Sequence, residues 1–151
     1  MTEKKAEDVF RLYKTKLLKV LGRKATYDSD LTRVGKQLFG SKYLGTFPQD
    51  KAPLTRTGIA IINTDVSKGP GVHWVALYLT YKTVYVYDSF ARPTSQLLKI
   101  LTKNAKSKKI KLIESDRTDA EQKKTSEVCG VLCLAWLAVT RDLGIRAAIK
   151  I

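Results

Sequence analysis

The chain has 151 residues with one histidine and two cysteines, enough for one domain with its own core and too little Cys and His for an ordinary structural zinc site. With 44% hydrophobic and 9% aromatic residues it is not a disordered chain, and it carries neither a signal-peptide pattern nor an apolar run long enough to span a membrane. Lys and Arg number 28 against 14 acids, giving +14 and a pI near 9.9, a surface that attracts polyanions, nucleic acid first among them.

Residues 5–21 read as an amphipathic helix. Val9, Leu12, Tyr13, Leu17, Val20 and Leu21 recur at helical spacing, with Arg11, Lys14, Lys16 and Lys19 between them. Gly22 stops it, and the cap-type residues Asp28, Ser29 and Asp30 open a second helix carrying Leu31, Val34, Leu38 and Phe39. Gly45, Pro48 and Pro53 punctuate residues 43–53 as a loop. Residues 58–63 form a nearly continuous apolar run, the pattern of a strand buried on both faces. After a turn cluster at 65–71, residues 73–81 and 83–88 are two strands so close that they form a hairpin.

Pro93 and Thr94 open a helix with Leu97, Leu98 and Leu101 on one face. Residues 108–113 alternate as an edge strand with Lys109 and Lys111 outward. A polar loop over 114–128 then runs into the most hydrophobic stretch, 131–139, a buried helix ending at Gly144. The fold class expected is α+β: a small, mostly antiparallel sheet packed on the helix that starts at Cys129, flanked by helices. Residues 1–151 form a single domain, with 1–27 a basic helical N-terminal extension and 28–151 the core.

Cys129 sits where the polar loop meets the buried helix. The first turn of a helix presents unpaired N–H groups and a partial positive charge, and both favour a thiolate. Gly130 beside it leaves room for a substrate to approach the backbone. A lone cysteine at a helix start is more often a small buried cap than a nucleophile. His73 and Asp88 change that weighing. As the sole histidine, His73 is the base that a cysteine mechanism at neutral pH requires. It begins one hairpin strand and Asp88 ends the other, so antiparallel pairing brings both to one edge of the sheet. Asp88 is then placed to bond one imidazole nitrogen and leave the other for Cys129, the order of a catalytic triad. The Cys129 N–H is one donor for a developing oxyanion. For a second, the loop offers Gln122, with nothing in its composition to set it above Lys123 or Lys124.

Beyond this derivation, the residues carry a resemblance. Gly71-Val72-His73-Trp74, Tyr87-Asp88-Ser89-Phe90, and Gln122 seven positions before Cys129-Gly130 resemble the active-site blocks of the adenovirus-type cysteine proteases (adenain-like), within the superfamily of SUMO- and ubiquitin-like-protein proteases. Tyr43-Leu44-Gly45-Thr46-Phe47, Ile61-Ile62-Asn63-Thr64 and Cys129-Gly130-Val131-Leu132-Cys133 are similar to further blocks of the viral branch, collinear from about Leu31 to Leu143. The resemblance implies Cys129 as nucleophile, His73 as base, Asp88 as orienting carboxylate and Gln122 as oxyanion-hole donor. Trp74 would pack beside the triad, and Gly45 would line the substrate cleft with Gly130. It also implies a papain-like fold, cleavage of viral precursor proteins after glycine-containing motifs, and stimulation by DNA.

The chain departs from that pattern in two places. No cysteine lies between Asp88 and Cys129, so the thiol that captures the adenoviral peptide cofactor has no counterpart and a disulfide-linked peptide is not expected. The chain also ends at Ile151, soon after the cysteine helix, where the adenoviral enzymes carry a further helical region.

The reading that results is a cysteine endopeptidase of virion or core precursors. It is expected as a monomer in the virion and infected host cell, the nucleus ahead of the cytoplasm, with no metal or organic cofactor and no membrane partner. DNA is expected as a partner and stimulant. Lys99, Lys103, Lys106, Lys108, Lys109 and Lys111, uninterrupted by an acid before Glu114, are the candidate phosphate contacts, and the basic face of the N-terminal helix is a second patch. The alternative is a deconjugating protease for a SUMO- or ubiquitin-like modifier, which shares the catalytic residues. A third reading, an inactive protease core that only binds nucleic acid, leaves the retained Cys, His, Asp and Gln set without a reason.

Overall fold

The computed structural model describes residues 3–22, 27–65, 73–115 and 128–151. Its helices are α1 (Glu3–Leu21), α2 (Asp28–Phe39), α3 (Thr94–Leu97), α4 (Lys99–Ser107), α5 (Cys129–Leu143) and α6 (Ile145–Ala148). Its strands are β1 (Tyr43–Pro48), β2 (Gly58–Asn63), β3 (Trp74–Thr80), β4 (Thr83–Tyr87) and β5 (Lys111–Glu114). The strands lie in chain order in one sheet. The two central pairings, β2 with β3 and β3 with β4, are antiparallel; the outer strands β1 and β5 each run parallel to their neighbour. The fold is the expected α+β class, but the sheet is evenly mixed where a mostly antiparallel one is expected, because helices or long connections carry the chain to both edges.

Alternation along the strands divides the core in two. Ile59, Ile61, Ala76 and Tyr87 face α5, while Ala60, Ile62, Val75, Leu77, Val84 and Val86 face the opposite layer of Leu98, Leu101 and Ala105 from α3 and α4. β2 therefore buries both faces, as its unbroken apolar run demands. Helix α5 is enclosed on every side: Val131 to Val139 are fully buried, since α1 and α2 cover what the sheet does not. Trp136 lies at the centre, stacked on Tyr87 at 5.4 Å and donating its indole N–H to the carbonyl of Ala148 at 2.9 Å.

Of the stripe expected on α1, Val9, Tyr13, Leu17 and Leu21 lie in or against the core, and two positions differ. Ala6, Phe10 and Leu17 are the buried residues and Leu12 and Val20 face outward. Phe10 takes the place assigned to Leu12 because the helix turns that stripe toward Tyr87, which it meets edge to face at 6.3 Å. Arg141 of α5 ties the helical layer together, donating to the carbonyl of Leu38 and to the hydroxyl of Tyr13, each at 2.6 Å.

Three other expectations are corrected. Residues 43–48 are a strand, not a loop. Pro48 sits at the end of a sheet-edge strand, where its missing N–H interrupts no ladder, and Gly45 marks a bulge with φ +142°. A Cβ at Gly45 would stand 2.9 Å from the Phe47 ring, so no other residue fits there without displacing it. The helix expected after Pro93 is two short ones, broken at Leu98. Helix α4, which no residue of its own caps, is capped from a distance: the buried side chain of Gln49 accepts from the N–H groups of Ile100 and Leu101 at 3.1 and 3.3 Å and donates to the carbonyl of Thr64. Finally, β5 begins only at Lys111. Lys109 has φ +58° in the preceding turn, so it is not on the strand's outer face.

Candidate active site

The hairpin and the buried helix converge at one end of the sheet. His73 precedes β3 directly, its carbonyl accepting from the Thr64 N–H at 2.8 Å. Asp88 follows β4, whose last residue Tyr87 pairs with Ala76. The two side chains meet: His73 Nε2 lies 2.5 Å from Asp88 Oδ1, with both residues 5% exposed. With Nε2 so engaged, Nδ1 is the nitrogen left for the Cys129 thiol, which hydrogen-bonds the imidazole from the first position of α5. Helix α5 has no side-chain N-cap, and one of its free first-turn N–H groups, that of Gly130, points at the Cys129 sulfur, as does the backbone N–H of Trp74.

The electrostatics are mutually consistent. Burial alone would push the Cys129 thiol up, but the His73 hydrogen bond and charge and the N–H groups of Trp74 and Gly130 outweigh it, and the thiol lies below its ordinary value. Burial would likewise lower His73, yet Asp88 and the facing sulfur hold its imidazole above the usual range. Both shifts favour a thiolate–imidazolium pair. Burial would raise Asp88, but His73 and Arg92 together bring its carboxyl down to about 2. Cys133, one turn further and fully buried, is the contrast: desolvation raises it well above the normal thiol.

Asp88 is held by more than the imidazole. The N–H of Phe90 donates to Oδ1 at 3.2 Å, and the N–H and Nε of Arg92 both donate to Oδ2 at 3.0 Å. Ala91, between them, has φ +55° and bonds back to the Asp88 carbonyl at 2.9 Å. This left-handed kink, which costs a non-glycine residue about 1–2 kcal/mol, turns Arg92 back onto the carboxylate. Phe90 lies against the His73 ring at 5.0 Å, and the Arg92 guanidinium covers the Phe90 ring at 4.8 Å. Neither residue was singled out from the sequence for a role, and a turn arginine four residues after an aspartate carries no periodic signal that would have marked it.

Of the residues named from the sequence, Cys129, His73 and Asp88 come together, with Trp74 and Gly130 at the sulfur. Gln122 lies outside the described residues. Gly45 is mid-strand in β1, two strands from β3, with its register partner Ala60 three residues short of the Asn63 that pairs with Trp74. Lys99, Lys103, Lys106, Lys108, Lys109 and Lys111 are all exposed along α4, its turn and the start of β5, on the layer opposite α5. Among the described residues there is no cluster of His, Cys, Asp and Glu able to hold a metal, and no helix long and apolar enough to cross a membrane.

A cysteine, an imidazole and a carboxylate in hydrogen-bonded series, with a helix N–H and a strand N–H at the sulfur, form an arrangement able to do the chemistry of a thiol peptidase. No curated protein matches the chain. The family model described as adenovirus endoprotease, a family of viral cysteine peptidases, matches residues 41–143, well over half of the sequence, and the chain belongs to that family.

Proposed function

We propose that the protein is a cysteine endopeptidase that matures viral precursor proteins, working in the virion and the infected cell in association with DNA. The observation that carries this reading is the hydrogen-bonded series of Cys129, His73 and Asp88 at the start of α5, in a chain of the adenovirus endoprotease family; the lowered thiol and raised imidazole favour a thiolate there. The Cys129 thiolate attacks the scissile carbonyl carbon and the carbonyl oxygen takes the negative charge. The Cys129 N–H and the side chain of Gln122 receive that oxygen. The tetrahedral species collapses as the C–N bond breaks, and the His73 imidazolium gives its proton to the departing amine. Water, deprotonated by His73, then attacks the thioester and frees Cys129. Asp88 keeps the imidazole in the productive tautomer throughout and is not itself protonated.

The test is cleavage of a peptide library, with and without a DNA duplex, by wild type and by Cys129→Ala. Cleavage at internal sites by wild type alone supports the reading; exclusive release of a SUMO- or ubiquitin-like modifier's C-terminal tail points to deconjugation instead. The DNA part rests on the exposed lysines of α4 and its turn. Lys82 joins them, its ammonium bonded to the Lys108 carbonyl at 3.4 Å. Their contacts go to phosphates, with little sequence preference and a steep loss of affinity with salt. Titrating a labelled duplex at several salt concentrations against wild type and a Lys106, Lys108, Lys109 and Lys111→Glu variant decides it. Equal affinity and equal salt slope would remove this patch from the reading.

A further inference from the structure

We propose that Arg92 is a positioning residue of the catalytic site, fixing Asp88 and the His73 ring together from the solvent side. The proposal rests on the peptidase reading and adds to it a residue that the triad chemistry does not require. Three observations converge on Arg92. Its Nε and its own backbone N–H both donate to the same oxygen, Oδ2, at 3.0 Å. That leaves Oδ1 for the imidazole at 2.5 Å, so the carboxylate is gripped at both oxygens and cannot rotate without breaking a bond. The guanidinium also lies over the Phe90 ring at 4.8 Å, and Phe90 in turn lies against the imidazole at 5.0 Å. One side chain therefore secures both partners of the His73 ring, the carboxylate at its edge and the aromatic at its face.

A purely structural ion pair on the surface would involve two exposed groups and contribute little. Here one partner is half-exposed and the other is buried: the Arg92 side chain is 43% exposed and that of Asp88 is 4%. Among the described residues, the charged groups bonded to Asp88 are His73 from the β3 side and Arg92 from its own turn. Glu114 of β5 lines the same small pocket, with its carboxylate accepting the Thr94 N–H at 3.3 Å. Arg92 is thus the group that offsets the buried carboxylate at the oxygen the imidazole does not use. A lysine keeps the charge but has neither a planar fork nor a face to lie on Phe90.

The experiment compares wild type, Arg92→Gln and Arg92→Lys in two assays. Cleavage of a peptide found with the library gives kcat and KM. The rate of Cys129 alkylation by iodoacetamide against pH reads the thiolate–imidazolium pair without any substrate. Arg92→Gln should lower kcat about tenfold with KM unchanged, the order for one charge-assisted hydrogen bond at a half-exposed position, and should move the acid limb of alkylation to higher pH. Arg92→Lys should restore the acid limb and recover kcat only in part. If Arg92→Gln keeps both kcat and the acid limb, even with a lower melting temperature, Arg92 is structural only and the proposal fails. A rise in KM alone would make Arg92 a substrate contact and overturn it equally. Should wild type cleave no peptide, it is the peptidase reading that fails; the alkylation profiles still decide what Arg92 does to the Cys129–His73 pair.

Discussion

Helix α1 precedes the region matched to the family, yet its packing says that it belongs to the core, and Phe10→Ala measures how firmly. Phe10 is 4% exposed and sits edge to face on Tyr87, which stacks on Trp136. A buried phenylalanine takes roughly 150–250 Å² out of water, or about 4–6 kcal/mol at about 25 cal/mol per Å². The alanine left behind retains part of that, and unfolded chains already bury some of it. The net loss is about 3–4 kcal/mol, within the ordinary Phe→Ala range, against a total stability on the order of 5–15 kcal/mol. In a domain of this length it corresponds to a fall in melting temperature of roughly 10 °C. Urea titration gives the free energy, and Leu12→Ala on the outward face (51% exposed) is the control, expected to cost less than about 0.5 kcal/mol. Tyr87 adjoins Asp88, so turnover should fall with stability in the Phe10 variant. A cost below about 1 kcal/mol for Phe10→Ala, equal to that of Leu12→Ala, would refute the docking of α1.

Other expected outcomes concern the site itself. Cys129→Ala should abolish cleavage and leave the melting curve intact, whereas Cys133→Ala keeps most activity; a thiol reagent that inactivates by labelling Cys133 and spares Cys129 would reverse that assignment. His73→Ala should be as damaging as loss of the cysteine, and Asp88→Asn less so, both read in kcat/KM. Asp88 also has a pH signature. A carboxyl lowered from 3.8 to about 2 stabilises the fold above its unfolded value, and that contribution is lost as pH falls through 3.8 toward about 2. His73 has the opposite sign: its raised imidazole stabilises most below 6.5, and this is lost as pH rises through the higher folded value. Urea melts against pH should show both slopes in wild type, and Asp88→Asn should lack the acid one. Gln122→Ala should lower kcat about a hundredfold or more, and near-normal turnover would take Gln122 out of the mechanism.

What the sequence made legible was whatever a single strong pattern governs. The apolar run at 58–63, the hairpin around Lys82 and the helix from Cys129 to Gly144 are each dictated by local periodicity and a clear stop. The meeting of His73, Asp88 and Cys129 followed from hairpin geometry and the start of that helix. What was not legible depended on partners distant in the chain. β1 looked like a loop because Gly45 and Pro48 are loop residues everywhere except at a bulged sheet edge. The true buried stripe of α1 depended on where Tyr87 and Trp136 would stand, and the outward Leu12 and Val20 fit a helical period equally well. Gln49, capping a helix some fifty residues onward, and Arg92, folded back by an alanine in a left-handed conformation, leave no periodic trace at all.

The burial of α5 has a further use. Cys133 is sealed in the middle layer with its thiol driven toward the neutral form, while Cys129, four residues away at the helix start, is expected to react from the native state. The molecule thus contains two thiol clocks on one helix. In a pulse of a fast alkylating reagent, modification of Cys129 times local access to the catalytic end. Modification of Cys133 times the opening of the whole domain, because α5 is not exposed until the sheet and α1 have parted from it. With a slower reagent, so that opening and closing outpace alkylation, the Cys133 rate divided by that of the same thiol in the unfolded chain gives the free energy of global opening, without denaturant. Repeating the pulse with a bound substrate or a DNA duplex separates ligands that close the site from those that tighten the entire fold.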